Sequence, residues 1–172
     1  LERIEKRMKS IFHHLIITAL LVLALVPAKP ASSAPDKSFT VTIVTDAHDA
    51  NPGDGKFADT NGNCSLRAAV MEANARAGAD SIILPADPFK LTRSGSVDSS
   101  AVNGDLDITG VLTIKGAGEG KTVIDGMELN ERLFEIHPGA VVTLTNMTVR
   151  NGCEHSDTFD QGGGIRNLGD LT

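Results

Sequence analysis

The chain has 172 residues with 16 Lys/Arg against 22 Asp/Glu, a formal net charge of −6, six phenylalanines, and neither tryptophan nor tyrosine. That length suits one domain, or one with a tail. From Pro35 onward 11 basic residues face 20 acidic ones with no basic patch, and aromatic platforms are scarce, which excludes nucleic acid as a partner and disfavours acidic polysaccharide unless metal ions intervene.

Residues 1–34 read as a signal peptide with an upstream extension. Lys6, Arg7 and Lys9 form a positive start, Leu15 to Val26 is apolar apart from Thr18, and small residues follow at Ala31-Ser32-Ser33-Ala34. The apolar run is too short for a comfortable membrane span. The mature chain is therefore expected to be secreted or displayed at the cell surface, with no membrane span of its own. An uncleaved N-terminal anchor is the alternative.

Phe39 to Thr45 alternates apolar and polar, with Phe39, Val41 and Ile43 on one face, and predicts a half-buried strand. Asp46 to Asn63 is rich in Asp, Asn and Gly. Asp49, Asn51, Asp54 and Asp59 offer the hard oxygen donors of a calcium loop, although Thr60 stands where an EF-hand needs a bidentate Glu. A solvated loop is the favoured reading and calcium the alternative.

Cys64 to Ala79 predicts an amphipathic helix. Ser65 is a suitable N-cap, Leu66, Ala69, Val70, Ala73 and Ala77 form an apolar stripe, and Gly78 is the expected stop. Ser65, Leu66, Val70 and Ala73 are the expected structural cap, covering the open end of the strands that follow.

Ser81–Leu84 and Phe89–Thr92 predict short strands broken by Pro85 and Pro88, and Arg93–Asn103 predicts an exposed loop. A repeat follows. Ile108, Ile136 and Ile165, spaced by 28 and 29 residues, each precede a turn and a Val/Leu-Thr strand, a period that suits one coil of a solenoid. Alternation points Leu106, Ile108, Leu112, Ile114, Phe134, Ile136, Val142, Leu144, Met147 and Val149 inward and Asp105, Asp107 and Glu135 outward. Asn146, Asn151 and Asn167 fall at expected corners, where asparagine tolerates left-handed backbone. The closing phrase GDLT reads as a strand, and further coils of the chain's own C-terminal part are expected to stack on it.

CSLRAAVMEANARAGADSIILPA (64–86), GDLDITGVLTIKGAG (104–118), TVIDG (122–126), GAVVTLTNMTVRNG (139–152) and GGGIRN (162–167) together resemble the CSLREA-domain family of secreted bacterial proteins. The resemblance implies a mainly β fold: a right-handed parallel β-helix of the pectin lyase-like type with an N-terminal amphipathic capping helix. Residues 35–80 would be the strand, loop and cap, and 81–172 the first coils of a longer β-helix. Ala68 replaces a frequent Glu, so Ser65 caps without a reciprocal partner. Phe57 stands where many members carry a cysteine, which removes the local disulfide.

Function is less legible. The expected role is a structural, adhesive or binding one, toward a surface polysaccharide or a host or cell-surface ligand. The alternative is the N-terminal part of a polysaccharide lyase or glycoside hydrolase. Asp105 and Asp107 could then act as acid and base or hold a metal, with Arg150 and Arg166 as the cations drawing in acidic sugar. Solvated surface carboxylates are the favoured reading, and no catalytic residue is assigned. His48, His137 and His155 show no ligand spacing. Cys64 and Cys153 could bridge, stay free or pair between molecules.

Overall fold

The computed structural model describes residues 36–95, 100–129, 131–153 and 162–172. The leader expected over residues 1–34 lies outside these, as does His155. Among the described residues no helix is long and apolar enough to cross a membrane.

The described residues are mainly β with one short helix. The strands are β1 (Ser38–Thr40), β2 (Ala79–Ile83), β3 (Pro88–Lys90), β4 (Leu106–Ile108), β5 (Val111–Lys115), β6 (Val123–Asp125), β7 (Phe134–Ile136), β8 (Val141–Thr145), β9 (Thr148–Arg150), β10 (Ile165–Asn167) and β11 (Asp170–Leu171), with helix α1 (Leu66–Asn74) between β1 and β2. They form three sheets, ordered β1-β2-β5-β8-β11, β3-β6-β9 and β4-β7-β10, with every neighbouring pair parallel. From β2 onward the chain visits the first, second and third sheets in the same rotation. Among the described residues no sheet closes into a barrel.

Period-two alternation explains the core. Phe39, Ile82, Phe89, Leu106, Ile108, Leu112, Ile114, Ile124, Phe134, Ile136 and Val142 are buried together, while Leu144, Met147 and Val149 are half-buried against them. Phe57 joins this core, its ring centroid 4.2 Å from that of Phe39. Pro88, which has no N–H to give, lies on an edge strand of the second sheet. Asn146 and Asn151 take left-handed φ of 57° and 58° at the two ends of β9. Asn146 follows Thr145, which pairs with Lys115, so its carbonyl packs over Gly116, where a Cβ would collide with it. Asn167 instead ends β10, its Oδ1 accepting the Gly169 amide at 3.1 Å.

Several expectations are corrected. The helix stops at Asn74 with Ala75 as C-cap, so Ala77 and Gly78 lie beyond it. It is also not one-sided: Leu66 through Ala73 are all buried, Arg67 and Glu72 included. Flanking loops wrap the polar side and supply partners for both charges. Glu72 accepts the Gly53 and Gly55 amides, the latter at 2.6 Å, tying the 46–63 loop to the helix. The described parts of the loop expected over Arg93–Asn103 are anchored rather than simply exposed: Ala101 is fully buried, and the Arg93 amide, like that of Thr92 before it, donates to Asp46 Oδ2, at 3.1 and 2.8 Å respectively. The isoleucine spacing misplaces the last layer: Ile108 pairs with Ile136, but Ile165 pairs with Phe134 and Asn167 with Ile136.

Candidate functional site

The third sheet begins at β4, whose outer backbone edge would be left unpaired without α1. Asn74 Nδ2 donates to the Asp107 carbonyl at 2.7 Å and Asn74 Oδ1 accepts the Thr109 amide at 3.0 Å. One primary amide thus supplies the donor and acceptor that a neighbouring strand would supply. Two turns earlier, Arg67 closes the approach to that edge. It donates to the carbonyls of Ala101 at 2.9 Å, Gly104 at 2.8 Å and Asp105 at 3.4 Å, and pairs with Asp46 at 2.6 Å. Its guanidinium is fully buried, which is tolerable only because those oxygens and one carboxylate replace water. Ser65 accepts the Ala68 amide at 3.0 Å and donates to the Ala47 carbonyl at 2.6 Å, fixing where the helix starts.

The outward side of the same sheet carries a charged ladder. Asp107, Glu135 and Arg166 stand in register on β4, β7 and β10. Asp105 lies two residues before Asp107, and His137 two residues after Glu135, on the same face. His137 Nε2 is 2.6 Å from Asp107 Oδ1 and 4.0 Å from Glu135 Oε1. Arg132 contacts Asp105 at 3.0 Å and Glu135 at 3.1 Å, and Arg166 contacts Glu135 at 2.8 Å. These carboxylates point outward yet are buried, contrary to the solvated surface expected, because Ala101, Arg132, Arg166 and His137 cover them. Burial, reinforced by the neighbouring Asp107 charge, pushes the Asp105 carboxyl up to about 7, with Arg132 opposing. Burial likewise raises Asp107, against the hydrogen bond from His137.

The expected calcium donors are placed differently. Asp49, Asn51, Asp54 and Asp59 line one surface hollow, and the three aspartate carboxylates accept amides of local turns. Asp49 accepts the Asn51 amide, Asp54 the Lys56 amide, and Asp59 the amides of Asn61 and Asn63. Among the described residues the group of three Asp, Glu or His ligand atoms lying within 4.8 Å of one another is Asp107, Glu135 and His137. Asp105, Asp107 and Arg166 share one face of the third sheet with Glu135 between Asp107 and Arg166, whereas Arg150 lies in the second sheet, paired with Asp125 at 2.8 Å. Cys64 is buried and forms no disulfide, so it is not bridged to Cys153.

Sequence reasoning missed His137, Arg132, Glu135 as a shared partner, Asn74 and the buried Arg67. A signal for His137 existed: it stands 30 residues after Asp107, one 28-residue layer plus the two residues that keep a side chain on one face. No family model, curated protein or solved structure matches the chain.

Proposed function

We propose that the chain is the capped N-terminal part of a right-handed parallel β-helix, akin to the CSLREA-domain proteins, with a structural, adhesive or binding role in a secreted or cell-surface protein. The single observation that carries this reading is the Asn74 amide on the edge of β4. A helix whose side chains satisfy the outer edge of the first third-sheet strand is a device for stopping strand addition at one end. The rotation of strands through three parallel sheets supports the solenoid, and the charged, apolar and small-residue succession over 1–34 supports export. The first sheet offers a face for binding: Ser81, Thr113 and Thr143 form a hydroxyl row beside exposed Val111 and Val141.

The test is sedimentation of the chain carrying Asn74→Ala together with Leu66→Asp. Concentration-dependent association of the variant, beside a monomeric parent, supports a cap. A folded variant that stays monomeric up to about millimolar concentration removes it.

The His137–Asp107 contact favours one second reading, an acid–base pair beside Arg166 in a polysaccharide lyase or glycoside hydrolase. Cleavage of an acidic polysaccharide that falls at least about tenfold in Asp107→Asn and Arg166→Ala would favour it. Absence of turnover in the parent chain rejects it for these residues.

A further inference from the structure

We infer that Asp107, Glu135 and His137 form a binding site for a first-row divalent metal ion of the zinc type. Parallel pairing of β4 and β7 sets Asp107 beside Glu135, and two residues along β7's direction His137 returns to the same face. Their ligand atoms lie within 4.8 Å of one another, with one edge at 2.6 Å and another at 4.0 Å. Zinc–oxygen and zinc–nitrogen bonds of about 2.1 Å make the edges of a tetrahedron about 3.4 Å long. The observed edges bracket that value, so small side-chain rotations suffice.

The charges around the group point the same way. The Asp107 side chain is almost fully buried, and among the described residues its oxygens meet the His137 ring and, at 3.3 Å, the Ala101 amide. A cation bonding both His137 Nε2 and Asp107 Oδ1 would satisfy this buried carboxylate. Glu135 is oriented by Arg166 and Arg132, and Asp107 by the Ala101 amide, the outer contacts that hold metal ligands in place. The His137 side chain, 21% exposed against 1% and 9% for the other two, marks the side from which an ion enters and where water completes the coordination. One nitrogen and two carboxylates suit zinc rather than calcium, which takes six to eight oxygens. This assignment rests on the register of β4 and β7 and is independent of the function proposed above.

The experiment is calorimetric titration of the 172-residue chain with Zn²⁺, beside His137→Ala and the loop variant Asp49→Asn/Asp59→Asn. Expected are one ion per chain, at least about tenfold weaker binding in His137→Ala, and unchanged binding in the loop variant. Equal affinity in His137→Ala and the parent, no uptake by the parent, or loss of binding in the loop variant overturns the site. Co²⁺ absorption of the parent chain provides a second reading that needs no variant to fold. Bands of a nitrogen–oxygen set support the site, and an intense thiolate charge-transfer band, placing the ion on Cys64 or Cys153, overturns it.

Discussion

The side chain of Asn74 and the backbone of Asp107 meet across the end of the third sheet at 2.7 Å, so a helix residue stands in for a strand. Replacing Asn74 with Leu leaves the Asp107 carbonyl and the Thr109 amide without their partner. Urea unfolding should show a loss of about 1–3 kcal/mol, the cost of leaving the part-buried Asp107 carbonyl unsatisfied, while the exposed Thr109 amide turns to water. Asn74→Asp, which keeps the acceptor for Thr109 but not the donor, should fall between Leu and the parent.

Arg67 and Asp46 make the sharpest test of the cap interior. Asp46 pairs with Arg67 and also accepts two backbone amides, so Asp46→Asn leaves a fully buried guanidinium without its counter-charge. A loss of roughly 3–5 kcal/mol is expected. The Arg67→Met/Asp46→Asn double variant should lose less than the sum of the two single changes in a denaturation-based double-mutant cycle.

Acid should act on the second sheet through Asp125. The hydrogen bond from Asn151, followed by the Met127 amide and Arg150, holds its carboxyl below the ordinary value of 3.8. A folded-state value below the unfolded one adds stability above about pH 4 that disappears as pH falls through the folded value. Asp125→Asn should therefore be less stable than the parent at about pH 6, with the gap narrowing as pH is lowered toward 2. A gap independent of pH, followed by urea unfolding at each pH, would show that the charge contributes nothing.

Glycines at two corners should respond oppositely. A Cβ at Gly116 would run into the Asn146 carbonyl, whereas Gly110 has open space around it and no left-handed φ. Gly116→Ala is expected to lower the melting temperature by about 5 °C or more, and Gly110→Ala to leave it within about 2 °C.

Cys64 should be chemically silent in the folded chain. Burial, with the Asp49 charge adding to it, pushes its thiol up to about 12. Alkylation by iodoacetamide near pH 8, followed by peptide mass spectrometry, should label Cys64 only after denaturant is added.

The strand alternation was legible because apolar side chains at every second position have one interpretation when both faces of a thin layer differ. Leu106, Ile108, Phe134 and Ile136 fall where the pattern placed them, and the phase change at Asn146 marks a left-handed corner. Register was less legible. The turns between third-sheet and first-sheet strands hold Thr109-Gly110, then residues 137–140, then Leu168-Gly169, so the isoleucines preceding them do not keep one spacing. That slip of two residues hides that Arg166 stands beside Glu135, and His137 looks isolated until Asp107 is set beside Glu135. Arg67 and Glu72 were illegible for another reason: helical periodicity describes one stripe, while their burial depends on loops 46–63 and 100–105 closing over the polar side.

The helix also imposes an order of assembly. It is made after β1 and before β2, yet Arg67 needs carbonyls at 101, 104 and 105, and Asn74 needs groups at 107 and 109. As the chain emerges during synthesis, α1 can form its own turns early but cannot lock until β4 has arrived more than thirty residues later. In that interval its buried cation has only Asp46 for company, and the first layer waits, half-built, for a strand that has not yet been made.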